Sequence, residues 1–221
     1  MSGEKKKSAL KNGCIGSRLS LGEGGMLGID QHLVPEYLRK YDTAQPLPKK
    51  VHELLIGYIL VQFLEENLRE AAIIGFPAAD GWKEHCSEGP LTLDRLLENQ
   101  QEFVCDTDVD IHVSSCGMTA RFQVTRFVYA PDGIAHRRLA ELIVKKCRHQ
   151  QTDKHLHLVV SMENTPNITE EEIAAILGDT SVPFRAIILI GKASPEAGHF
   201  SYAQLYPKPI LGKEIRIPID I

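Results

Sequence analysis

Between Asp108 and Val128 the chain reads D-V-D-I-H-V-S-S-C-G-M-T-A-R-F-Q-V-T-R-F-V, two alternating runs separated by a short stretch containing Gly117. Side chains that alternate with a period of two commit both runs to β-strands, because successive residues of a strand point to opposite faces. In the first run Val109, Ile111 and Val113 oppose Asp108, Asp110 and His112; in the second Arg121, Gln123 and Thr125 oppose Phe122, Val124 and Arg126. A loop of roughly seven residues between them suits an antiparallel hairpin. Such a hairpin sets Asp110 beside Gln123 and Thr125, a polar cluster on a sheet.

The flanking segments supply helices and further strands. From Val51 to about Ile74 the apolar residues Leu54, Leu55, Ile59, Val61, Leu64, Leu68 and Ala72 recur at spacings of three and four, which predicts a helix with Glu65, Glu66 and Glu70 on its polar side. A loop with the only tryptophan, Trp82, leads to a short helix from Leu91 to about Gln101. After a Pro131-Asp132-Gly133 turn, Ala135, Leu139, Leu142, Ile143 and Cys147 mark an amphipathic helix whose outer face carries Arg137, Arg138, Lys145, Lys146 and Arg148. Leu156 to Ser161 alternates as a strand. Thr169 with Glu172 forms a capping box, and Gly178 closes that helix. Phe184 to Ile190 is apolar apart from Arg185, as in a strand covered on both faces, and His199 to Tyr206 is a further strand. Ile215 to Ile221 alternates around Pro218 and is expected as an edge strand or docking arm.

Residues 1–48 carry Lys5, Lys6, Lys7 and Lys11, a glycine cluster from Gly22 to Gly28, and Pro46 and Pro48; they are expected to form a flexible arm ahead of a single α/β domain over 49–221. A hairpin followed by a strand reached through a helix indicates a mixed central sheet flanked by helices.

Composition narrows the classes. A formal net charge of −4 gives no global basic field, so a nucleic-acid surface has to be local, and the helix over 137–148 is where one would lie. Five cysteines, widely spaced and without a C-x-x-C pair, fit reduced thiols and a cytoplasmic location. No apolar run approaches the roughly 18 residues that span a bilayer, so no membrane association is expected. The chain has no G-x-S-x-G, no H-E-x-x-H and no G-x-G-x-x-G after a strand. The glycine cluster follows no predicted strand and lacks the lysine and hydroxyl that complete a Walker loop. His155 and His157 share a strand face with no further ligand in sight.

The element order, with Asp110 on one strand and a polar-x-polar pair in Q-V-T-R on the next, resembles the PD-(D/E)xK, or restriction-endonuclease-like, nuclease superfamily over roughly residues 51–206. The family's pattern is an aspartate, then Glu-x-Lys on the neighbouring strand, often with a glutamate from the preceding helix. The resemblance implies a restriction-endonuclease-like fold and hydrolysis of DNA or RNA with magnesium or manganese. Asp110 would be the principal metal ligand, Gln123 a neutral second ligand in place of the glutamate, Glu66 the helix acid, and Asp108 an added charge. Thr125 stands where the lysine belongs, leaving Lys145, or Lys146 or Arg126, to supply a cation; Arg126, Arg137, Arg138, Lys145, Lys146 and Arg148 would contact the nucleic acid. Two alternatives follow from the departing Q-x-T: a nuclease with a displaced motif, or a non-catalytic module that binds nucleic acid, or a protein partner through its C-terminal edge strand.

Overall fold

The computed structural model describes residues 19–21, 26–41, 47–105, 107–128, 135–150, 155–162, 169–193 and 198–216. The chain falls into two compact units, Met1–Thr119 and Ala120–Ile221. Each is described on its own.

In the first unit, strands β1 (Leu19–Leu21), β2 (Met26–Asp30), β3 (Ile73–Pro77) and β4 (Ile111–Ser115) pair antiparallel in that order. Residues 26–41, expected within the arm, are thus built into the sheet and its helices. Met26, Leu27 and Ile29 are buried, and Gly28 lies directly opposite Gly75. A Cβ on Gly28 would stand 2.5 Å from Ile73 Cγ2, so this glycine serves close strand packing, not a linker. Residues 22–25 and 42–46, which hold the rest of the glycine cluster and Pro46, and the basic residues of the extreme N-terminus lie outside the described residues, as do the turn at 131–133 and the last five residues.

Helix α1 (Val34–Leu38) follows β2, and α2 (Lys49–Gln62) precedes a short α3 (Glu66–Glu70). The single helix expected from Val51 to Ile74 therefore ends at Gln62. Pairing with β2 and β4 draws Ile73–Pro77 into the sheet, overriding the local helical spacing. Trp82 is buried beside a 3₁₀ turn, and α4 (Leu93–Glu98) and α5 (Gln100–Phe103) complete this unit's helices. The expected seven-residue loop shortens to Cys116 and Gly117, with φ of 48° and 78°. These positive values at both central positions are what a tight two-residue hairpin turn requires. Ser114 Oγ meets Thr119 Oγ1 at 3.0 Å across the turn.

In the second unit β5 (Met118–Phe127), β6 (Leu156–Met162) and β7 (Ala186–Lys192) run parallel, while β8 (His199–Tyr206) and β9 (Ile210–Arg216) add antiparallel strands, giving a mixed sheet. Helix α6 (Ala135–His149) links β5 to β6, and α7 (Glu170–Leu177) links β6 to β7 and packs against α6. The capping box is present: Glu172 N–H donates to Thr169 Oγ1 and Thr169 N–H to Glu172 Oε2. Ile187 to Ile190 and Leu158 to Val160 are all buried, the continuous apolar run that parallel strands covered on both faces need. The protein is thus α/β, with a mixed sheet flanked by helices. Cys86, Cys105, Cys116 and Cys147 are free thiols, and no helix among the described residues is long and apolar enough to cross a membrane.

Candidate functional site

Helix α2 has almost no polar face. Every residue from Glu53 to Val61 is buried, together with Lys50 and Val51. A helix apolar on all sides lies inside its unit, and its charged residues must find partners there. The approach to the sheet is set by Gly57, where an added Cβ would stand 2.5 Å from Ile74 Cγ2 of β3 and 3.3 Å from Ile111 Cδ1 of β4. Only hydrogen fits at that crossing. Glu53 lies one helical turn earlier on the same face. Asp110 immediately precedes Ile111, the residue that touches Gly57, so docking α2 at the glycine brings the two acids to one place.

A lysine marks their meeting. Lys49 Nζ stands 3.7 Å from Glu53 Oε1 and 3.5 Å from Asp110 Oδ1. Lys50 Nζ holds the other oxygen, Glu53 Oε2, at 2.6 Å and sits 5.3 Å from the centre of the Phe76 ring. The side chains of Glu53, Lys50 and Asp110 are 2%, 10% and 12% exposed, whereas that of Lys49 is 68% exposed. Burial raises the Glu53 pKa from 4.5 to about 7; the negative charge of Asp110 adds to the rise, and Lys50 and Lys49 oppose it. Two carboxylates and two ammonium groups therefore form a cluster that is neutral when all four are ionised, with one lysine locked inside and one reaching in from solvent.

Two converging carboxylates are hard oxygen donors suited to a divalent cation. The donor chemistry fits: both acids are almost fully withdrawn from water, and the charge of Asp110 adds to the cost of ionising Glu53, a cost that a bound cation removes. Among the described residues no group of three or more His, Cys, Asp or Glu side chains is placed to hold a metal ion, so other oxygens would have to complete a coordination shell.

Asp110 is buried at the mouth of β4, while Asp108 is exposed in the preceding bend. Ile111, His112 and Val113 are all buried, so this strand is covered on both faces and not half-buried as its alternation suggested. The helix acid beside Asp110 is Glu53; Glu66 lies exposed at the start of α3. Gln123 and Thr125 belong to the second unit, half-buried on one face of β5 and in register with Leu158 and Val160 of β6. Arg126 is exposed on the same strand. On α6, Arg137, Arg138, Lys145 and Arg148 are exposed and Lys146 half-buried; Arg137 Nε donates to Glu141 Oε1 at 3.1 Å. His157, by contrast, packs on Phe122 with ring centres 4.9 Å apart and places Nδ1 3.1 Å from Arg121 O, which gives it a structural place.

Sequence reasoning passed over Glu53, Lys49 and Lys50. Their signal is an acid inside an apolar run, V-H-E-L-L-I-G-Y, where a glutamate is almost never fully buried unless it is paired. No protein-family model, curated protein or solved structure matches this chain.

Proposed function

We propose that the chain is a divalent-cation-dependent nuclease of the restriction-endonuclease-like kind, in which Glu53 of α2 and Asp110 at the start of β4 form the acid pair. The observation that carries this reading is the convergence of those two buried acids from a helix and a strand. It supports the nuclease resemblance more directly than the Q-V-T-R segment does, because that segment departs from the pattern at both positions. The order of α2, β3, β4, β5, α6 and β6 is a second support.

In this reading Asp110 and Glu53 of the first unit hold the cation, and solvent oxygens complete its shell. The bound cation supplies a positioned water and charge stabilisation at the phosphate. Lys50 fixes the Glu53 carboxylate so that one oxygen stays directed away from the ammonium. Arg138, Lys145 and Arg148, exposed along α6, offer a local basic surface to a DNA or RNA backbone despite the protein's net negative charge.

A second reading is favoured by the two lysines. Because Lys49 and Lys50 already neutralise the acid pair, the same fold serves as a non-catalytic module, with strand β9 at the edge of the second unit's sheet open to strand addition by a partner. Calorimetric titration of magnesium and manganese into the wild type, Asp110→Ala and Glu53→Gln, run beside nicking of supercoiled DNA, separates the two. Cation binding and nicking that vanish in both variants establish the nuclease. Absence of cation binding at millimolar metal, with no nicking, leaves the module.

A further inference from the structure

The two lysines that touch the acid pair are held very differently. Lys50 is buried, its ammonium 2.6 Å from Glu53 and over the Phe76 ring, so it is part of the interior. Lys49 is mostly exposed and contacts both acids, at the longer distances of 3.7 Å from Glu53 and 3.5 Å from Asp110. Its ammonium therefore lies within ion-pair reach of both carboxylates, on a four-carbon stem that is mostly exposed to solvent.

We infer that Lys49 is a displaceable internal counter-ion that sets how readily the Glu53–Asp110 pair takes a divalent cation. Resting on the cation-site reading above, the inference adds a threshold to it. With no metal, Lys49 bridges the acids and offsets their repulsion. A divalent cation enters only by pushing the ammonium outward, and it must beat an attraction already satisfied. The competition is electrostatic and local, so it discriminates by charge: a monovalent ion gains nothing by replacing one positive charge with another, whereas a divalent ion does. Lys50 takes no part in the exchange, because its withdrawal would open a buried gap and strip Glu53 of its closest partner.

The test is calorimetric titration of magnesium and manganese, at low salt, into the full-length wild type, Lys49→Gln and Lys49→Arg. Removing the charge while keeping a polar side chain is expected to tighten divalent binding by about tenfold, while Lys49→Arg keeps wild-type affinity. In metal-free buffer Lys49→Gln is expected to melt below wild type, and saturating magnesium to raise its melting temperature by more. The tightening is expected to disappear when Asp110→Asn is added to Lys49→Gln.

Equal or weaker binding by Lys49→Gln with wild-type binding intact would overturn the counter-ion while leaving the cation site standing. Tightening that survives Asp110→Asn would also overturn it, by placing the ion elsewhere. Absence of binding in every variant would remove the cation-site reading itself, and the inference with it. Binding that appears only in Lys49→Gln supports both.

Discussion

Helices α2 and α6 are nearly equal in length, 14 and 15 residues, and both carry several charged groups, yet they spend them in opposite surroundings. On α6 the apolar residues Leu139, Ile143 and Cys147 recur every four residues and are buried, while Arg137, Arg138, Glu141, Lys145 and Arg148 face water. On α2 burial is continuous from Glu53 to Val61, and the charged residues Lys50 and Glu53 are both buried. Number and type of charge therefore say little about function. A charge in water is worth a fraction of a kcal/mol, whereas a charge withdrawn from water has to be matched, and the matching fixes geometry. That is why Glu53, the helix-borne member of the acid pair, sits on the helix without a polar face.

The largest effect expected from this contrast is at the crossing that buries α2. Gly57→Val puts branched carbon where the backbone already meets Ile74 and Ile111, and the nearest atom is a methyl on a stiff β-branched side chain that has no flexible end to move. Destabilisation of about 3 kcal/mol is expected in urea denaturation, against less than about 1 kcal/mol for Ala140→Val on half-buried α6. A Gly57→Val protein as stable as the wild type would mean that α2 does not dock at this glycine.

A smaller effect concerns pH. The Glu53 carboxyl is raised from 4.5 to about 7 in the folded protein, so between those values the folded chain binds more protons than the unfolded one. Unfolding free energy must then fall as pH rises through the window, and its contribution from this group is greatest below pH 4.5 and level above 7. Glu53→Gln lacks the slope. Plotted against pH, the stability difference between the proteins is expected to move by about 2 kcal/mol in the variant's favour from pH 4.5 to 7. Substituting Glu141, exposed on α6, is expected to leave the wild-type profile unchanged. A flat difference for Glu53→Gln would show that Lys50 and Lys49 fully cancel burial and the Asp110 charge.

The same contrast explains what the sequence disclosed. Helix α6, the capped helix α7, and strands β6, β7 and β8 were legible because each has a single buried stripe or a continuous apolar run bounded by caps. Asp110 was legible because it starts an alternating run. Strand β3 was hidden, since Ile73 and Ile74 read as the end of a helix that Gly75 and Pro77 stop, and the segment becomes a strand only through its partners β2 and β4. Strand β2 was hidden by glycines that look like a linker until Gly28 is set opposite Gly75. Glu53 was hidden for the reason that makes it interesting. On a helix read as amphipathic, acids are sought on the polar side, where Glu66 lies, and no periodicity reveals an acid placed against the core. Locating it took Gly57, whose close approach belongs to tertiary packing and not to any local pattern.

The smallest expected effect tests whether the solvated charges of α6 do anything at all. Arg138→Ala combined with Lys145→Ala is expected to change stability by less than about 0.5 kcal/mol, because both side chains are exposed. Binding to duplex DNA gives the sharper readout. If this face follows a phosphate backbone, each lost contact lowers the slope of log affinity against log salt by about one, so the double variant loses roughly two units, uniformly across sequences. The acid pair is expected to respond in the reverse sense: Asp110→Asn leaves the salt slope alone and removes cation dependence. An unchanged slope in the double variant would assign the α6 charges to solvation only, and α2 would then carry whatever chemistry the protein has.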